Sequence, residues 1–446
     1  MTPTERLAGF ITETIFDDVP AEAVKKGKRA IIDGVAVTLG GWQMIGPQVI
    51  SLVEALGGNP ESTIMGAGTR TNPPLAALAN AVMSHVLDYD DINESMGGHP
   101  TGPVLAAVLA LGEMLGVSGR SCLLAYLIGV ETETKIGRAL IKTLYGSGWH
   151  PTSVLGVMGS AAACAKLLGL NREQTIMTLG MAGSFAGGLK QNFGTLTKSL
   201  HVGQAAKNGV MAAMLAQQGW TAAPDILEGR FGFGNLFAGR DAFDFRDMTD
   251  HLGKPWDIVD PGIKLKKYPC CGSIHPALDA LLRLRNQEHL TADSLKTLVC
   301  AVPPSKQHIL VHPRPTSGLE AKFSLEYCLA RALADGRISM AHFHDDNARD
   351  DRIHDLLPRI SVFQDPALPE WASRIVVETV DGRSLEETCR ELPGIDSDQD
   401  LASKFTDCAV PVIGEQRSQA VLDMIRRLED LTNVAGFVDQ LCMEPA

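Results

Sequence analysis

Residues 85 to 102, HVLDYDDINESMGGHPTG, put His85, Asp88, Asp90, Asp91 and His99 into one short window. His85 and Asp88 are three apart, as are Asp88 and Asp91, so a helix running through them would present each pair on one face. His99 follows Gly97-Gly98 and stands just before a new helical pattern, where unpaired N–H groups attract anions. Such groups can move protons, hold carboxylates or bind a metal ion. A solvated helix end with an internally paired histidine would account for His85 alone, but less readily for the whole cluster. A divalent ion on His85, Asp88, Asp91 and His99 would suit a hydrolase. HxH and HExxH spacings are both missing, so no metal is expected.

Three further stretches carry similar chemistry. In YGSGWHPTSVLG, Tyr145 and His150 flank two glycines, and His150-Pro151-Thr152 repeats the step His99-Pro100-Thr101. Each step opens a helix rich in small residues, with proline at an ordinary first-turn position. NFGTLTKSLHVGQAA sets Lys198 among small polar residues with His201 three positions on. A lysine in apolar surroundings near other cations loses basicity and becomes a usable base. A single lysine is otherwise most often an exposed loop residue. IKLKKYPCCGSIHPALDA holds Lys264, Lys266 and Lys267, a tight basic group in an acidic chain, ahead of Cys270, Cys271 and His275. It reads either as a carboxylate clamp or as a solvated run at a domain boundary.

The elements that must position these groups are mostly helices. Leu75, Leu78, Val82 and Val86 recur at helical spacing after Pro73-Pro74. TGPVLAAVLALGEMLGV has Thr101 as its expected N-cap. Gly169 closes one helix, and Asn171 with Gln174 makes a capping-box start for the next. Near Pro261 the pattern changes. LKTLVCAVP and RIVVETV are rich in β-branched residues, and Asp381-Gly382 signals a hairpin into RSLEETCR. Helices return with Ser397 as N-cap and Asp400 at its third position. The chain therefore reads as mainly α: an all-helical domain of residues 1–264 and 397–446, with a smaller α+β domain of residues 265–396 inserted before the C-terminal helices.

Composition narrows the function classes. The 446 residues are 45% hydrophobic and 5% aromatic, with 44 glycines. This favours closely packed helices over a sandwich of sheets. A net charge of −12 argues against nucleic acid and anionic membranes as partners. No run of about 18 apolar residues suggests a membrane span. The first twenty residues lack a signal-peptide pattern. Nine scattered cysteines without CxxC spacing fit a reduced, cytoplasmic protein.

Together the motifs HVLDYDD…GHP, WHP, LTKSLHVG, YPCCGSIHP and FSLEY, in this order over nearly the whole chain, resemble the MmgE/PrpD family. That family includes 2-methylcitrate dehydratase, cis-aconitate decarboxylase and iminodisuccinate epimerase. The resemblance implies a helical domain with a smaller α+β domain, a homodimer, a small anionic polycarboxylate substrate and no cofactor or metal. It places Asp88, His99, His150 and Lys198 in the catalytic cleft, with Lys266, Cys271 and Tyr327 contributed to substrate binding by the smaller domain. Ile92, Cys271 and the Thr101-Gly102-Pro103 run depart from the decarboxylase and dehydratase patterns. The resemblance therefore implies an epimerase acting on iminodisuccinate, with a dehydratase-like or decarboxylase-like lyase as the alternative.

A mechanism follows from the residues themselves. Lys266, His99, His150 and the helix N-termini would neutralise substrate carboxylates, which stabilises an enolate-like intermediate. Lys198 and Tyr145 are the candidate bases for taking and returning the α-proton.

Overall fold

The computed structural model describes residues 1–240, 242–306 and 309–443. Residues 444–446, assigned from the sequence to the helical domain, lie outside the described residues. Eight helices build most of the N-terminal half: α1 (Pro3–Glu13), α2 (Ala21–Leu56), α3 (Pro73–Val86), α4 (Thr101–Leu115), α5 (Gly119–Leu144), α6 (Pro151–Leu167), α7 (Arg172–Phe185) and α8 (Leu196–Gln217). Small residues set their spacing. A side chain at Gly41 of α2 would sit 2.0 Å from the carbonyl oxygen of Met83 on α3, so only glycine allows the two backbones this close. α3, α6 and α8 pack on one another, and α4 runs beside α3 and α6.

The expected caps form at α7, where Asn171 and Gln174 bond each other's backbone, and at the last long helix, where Ser397 accepts from the N–H of Asp400. Gly169, at φ 62°, ends α6 as expected. Two expectations fail. α3 stops at Val86, so His85, Asp88 and Asp91 do not share a helical face. Asp88 instead takes a left-handed φ of 51°, which lets the chain turn sharply. Thr101 is the first residue of α4 rather than its cap. The N-terminus is held by Asp91, whose carboxylate accepts from the N–H and the hydroxyl of Thr101.

The smaller unit holds a sheet of four strands, β1 (Leu295–Val302), β2 (Ile360–Gln364), β3 (Ser373–Thr379) and β4 (Ser384–Cys389), in the order β2-β1-β3-β4. β1 and β2 are parallel, and the other two pairs are antiparallel. The β3–β4 hairpin runs from Ser373 opposite Cys389 to Glu378 opposite Ser384, around the expected Asp381-Gly382 turn. Burial alternates along β3, with Ser373, Ile375, Val377 and Thr379 turned inward. Helix α9 (His275–Glu288) covers β3 and β4, and α10 (Leu325–Asp335) lies against β2.

Helix α11 (Asp398–Arg426) packs along α2. Its Leu401, Phe405, Cys408 and Ile425 join the core of the helical unit, while the sheet and its helices have a core of their own. The two chain crossings between the units lie close together. Ile92 pairs with Lys264 and Asn93 with Ile263, and Ile395 bonds the carbonyl of Leu265. All nine cysteines are free and buried. Among the described residues, no helix is long and apolar enough to cross a membrane.

Candidate active site

The turn after α3 exposes three successive carbonyls, and each accepts from a buried ammonium. Lys322 reaches Leu87 at 2.6 Å, Lys266 reaches Asp88 at 2.7 Å, and Lys404 reaches Tyr89 at 2.7 Å. A tight turn that cannot pair within a helix is thereby satisfied without water. Lys322 also bonds the carbonyl of Pro269, and Lys404 pairs with Asp33 at 2.6 Å. Burial pushes the pKa of Lys322 down to about 8.

The Asp88 side chain is the electrostatic centre of this region. Its Oδ1 accepts from Lys198 at 2.9 Å and from Lys266 at 3.0 Å. Burial acts to raise its pKa, but the two ammonium groups, with His99, outweigh that and hold it well below the usual carboxylate range. For Lys266 burial acts downward, and Asp88 with Asp90 reverses it, so its pKa is raised. Lys198 sits in the first turn of α8. Its Nζ is 5.3 Å from the ring centroids of both Phe193 and Phe323.

Three imidazoles line up beside this carboxylate. His85 Nδ1 is 2.8 Å from Asp90, and its ring lies 4.8 Å from that of His99 and 5.6 Å from that of His150. His99 Nδ1 is 2.8 Å from the carbonyl of Asp91, which can only accept, so this nitrogen carries the proton. Its Nε2 then presents a lone pair, 3.9 Å from Asp88. Burial pushes the pKa of His99 down to about 3 and that of His150 well below its usual value. Both are neutral near pH 7. His150 Nδ1 is 3.2 Å from Nδ1 of His201, whereas its buried Nε2 has no protein partner. The two His-Pro-Thr steps meet directly, because the N–H of His99 donates to the hydroxyl of Thr152.

These groups face a cavity of about 580 Å³ between the two units. Asp88, His99, Tyr145, His150, Lys198, Lys266 and Cys271 all line it. The structure thus brings together seven of the residues that the sequence singled out. The eighth, Tyr327, is not there. It is fully buried in the core of the smaller unit, where its hydroxyl donates to the carbonyl of His342 at 2.5 Å and accepts from Arg331. Residues at the start of the same stretch serve instead: Phe323, the first of FSLEY, lines the cavity, and Lys322, just before it, holds the turn. Tyr145 lines the cavity, but burial pushes its phenol pKa up, and Lys190 lies over the ring face, 3.5 Å from its centroid. Burial thus works against the phenolate that a base at Tyr145 would require.

Phe193, Lys306, Glu370, Trp371 and the two lysines 322 and 404 escaped the sequence reading. Phe193 stood inside a quoted motif. Lys404 gave no local signal at all.

Metal chemistry is weighed by the same geometry. His85, Asp88, Asp90 and His99 bring donor atoms within 4.8 Å of one another. Asp91, which the sequence had offered as a ligand, is engaged by Thr101. A divalent ion at Asp88 would meet two ammonium groups already bonded to the same oxygen, so the donor set fits a metal poorly.

Comparison with known proteins agrees with this architecture. The MmgE/PrpD N-terminal domain profile matches residues 5–246, and the C-terminal domain profile matches residues 268–430. Cis-aconitate decarboxylase of Homo sapiens is 30% identical over 453 residues, covering 96% of this chain and 92% of that protein. Cis-aconitate decarboxylase of Mus musculus is 29% identical, covering 96% and 91%. 2-Methylcitrate dehydratase of Escherichia coli K12 is 24% identical over 358 residues, covering 74% and 72%. Both domain profiles match in order, the two decarboxylases align almost end to end, and the motifs that face the cavity are among those that first suggested the likeness. The chain therefore belongs to the MmgE/PrpD family of enzymes.

Proposed function

We propose that the chain is a cofactor-independent lyase acting on a small polycarboxylate, with decarboxylation of a cis-aconitate-like substrate as its reaction. The observation that carries this reading is the position of Lys198. Its ammonium is bonded to Asp88 and lies near two aromatic rings, on a cavity whose lining combines cations with Phe193, Phe323, Ile309 and Trp371.

A decarboxylase needs both kinds of lining. Cationic groups and the starts of α4 and α6 fix the carboxylates that stay. An apolar wall strips water from the carboxylate that leaves, which favours neutral carbon dioxide over the charged group. Breaking that carbon–carbon bond leaves its electron pair on the substrate, spread over the double bond and a neighbouring carboxylate. A proton delivered to carbon completes the reaction. Lys198 is the donor, and Asp88, itself fixed by Lys266, holds it in place.

Support also comes from the named relatives, which are decarboxylases and dehydratases. An epimerase acting on iminodisuccinate, the reading that the sequence departures favoured, shares the proton transfer at a carbon beside a carboxylate. It also needs a base, and neutral His150, with its free Nε2, is the best placed group. Proton NMR in deuterium oxide with cis-aconitate, 2-methylcitrate and iminodisuccinate separates the readings. Carbon dioxide release with one deuterium placed on product carbon is expected. Loss of water alone identifies a dehydratase. Exchange with inversion and no bond cleavage identifies an epimerase and overturns the lyase reading.

A further inference from the structure

Building on the lyase reading, we propose that Lys306 selects substrates by a distal carboxylate, and that Glu370 occupies that place until the substrate arrives. Lys306 ends a short helical turn, Pro304–Lys306, just after β1. Glu370 lies in the connection that leads into β3. Both line the same cavity as Asp88 and Lys198.

The pair is lopsided. Lys306 has a side chain only 4% exposed, whereas that of Glu370 is 58% exposed. Nζ of Lys306 is 2.6 Å from Oε1 of Glu370 and 4.0 Å from the ring centroid of Trp371. The other oxygen of Glu370 accepts from the hydroxyl of Ser305 at 2.7 Å. A buried ammonium must keep a counter-charge, so it cannot stand alone. Its partner, by contrast, can swing into water at little cost, because most of it is already there.

Exchange of one carboxylate for another conserves charge. A substrate carboxylate that reaches Lys306 therefore replaces Glu370 without stranding the lysine. Asp88 cannot exchange in this way, since it is buried and bonded to two lysines. Lys306 is thus the cavity cation whose present partner is dispensable. A tricarboxylate that binds the Asp88 side of the cavity through two carboxylates has a third to offer Lys306, while a dicarboxylate so bound has none. This makes Lys306 a selector of substrate length and charge, and Glu370 a competitor that weak ligands fail to displace.

Calorimetry on the full-length protein tests the proposal with two non-reacting probes, tricarballylate and succinate. Lys306→Met, which keeps an apolar stem over Trp371, is expected to weaken tricarballylate by about 10- to 100-fold, the usual worth of a charged hydrogen bond. Succinate affinity should stay within about twofold. Glu370→Gln is expected to tighten tricarballylate by roughly threefold to tenfold, because the competing closed state is lost. A merely structural ion pair would lower the melting temperature in both variants and leave the ratio of the two affinities alone. Equal loss for both probes, no loss with Lys306→Met, or weaker binding with Glu370→Gln overturns the proposal. Should Lys306→Met not fold, Glu370→Gln decides the question unaided. A wild-type protein that releases carbon dioxide from cis-aconitate yet shows none of these differences overturns the selector and spares the lyase reading. A wild-type protein that binds neither probe overturns the selector, and the NMR assay then judges the lyase reading separately.

Discussion

Lys266 holds Asp88 at two points, with Nζ 3.0 Å from the carboxylate and 2.7 Å from the carbonyl of the same residue. One ammonium therefore fixes both the charge and the backbone of the residue at the centre of the cavity. Lys266→Met should leave Asp88 buried with a single cation and one carbonyl unpaired. Breaking a buried pair in this way costs about 3–5 kcal/mol. Denaturant unfolding, following the same spectroscopic signal in both proteins, measures this loss. An effect below about 1 kcal/mol would show that water or a rearranged lysine replaces the contact.

Lys198 should separate chemistry from folding. Lys198→Ala is expected to reduce turnover by about 10²-fold to 10⁴-fold, the range typical of general acid–base groups. Asp88 remains paired with Lys266, so folding should survive. Lys198→Arg should recover little, because guanidinium is effectively always protonated and is a poor proton donor. Near-full turnover in Lys198→Ala would move the proton-transfer role to His99 or His150.

Chelation tests the rival use of the same cluster. Activity is expected to persist after exhaustive treatment with a chelator, because Lys198 and Lys266 already neutralise Asp88. Loss of activity restored by one divalent ion would show that His85, Asp88, Asp90 and His99 bind a metal after all.

Lys322 predicts a pH dependence of stability. Its folded pKa of about 8 lies below the ordinary lysine value, so between these two the unfolded chain binds more protons. Stability contributed by Lys322 should therefore rise from about pH 8 toward pH 10, by at most about 1.4 kcal/mol per pH unit. Cysteine thiols that burial pushes up act in the opposite direction over part of this range. Subtracting the curve for Lys322→Met removes them. A difference curve that is flat above pH 8 would show that Lys322 titrates elsewhere.

Tyr327 should behave as a core residue. Tyr327→Phe removes the donor to His342 and the acceptor for Arg331, at a cost of about 1–3 kcal/mol. The Michaelis constant should not change. A selective rise in that constant with unchanged melting temperature would return Tyr327 to the substrate site.

Much of the site was legible because its chemistry lies in short stretches of sequence. His99, His150 and Lys198 each stand near a helix start marked by glycine or proline, and such boundaries are where side chains can be aimed into a cavity. The helical and α+β units were legible from the change in periodicity near Pro261. The end of α3 was not. Nothing local says that Asp88 takes a left-handed conformation, because the reason is three lysines supplied from residues 266, 322 and 404. Tyr327 misled for the opposite cause: it lies in a suggestive motif, but helix α10 turns it into the core and leaves Phe323 facing the cavity. The Lys306–Glu370 pair joins two loops more than sixty residues apart, so no spacing rule could connect them.

The lysines that cap the 87–89 carbonyls also set a schedule. During synthesis the helices around Asp88 emerge early, but Lys266 and Lys322 follow much later, and Lys404 comes from the last long helix. Until that helix docks on α2, the carbonyl of Tyr89 has only water to bond. A growing chain can thus collapse its N-terminal helices without yet possessing a working site. The cavity becomes charged and shaped only when nearly the whole polypeptide has left the ribosome.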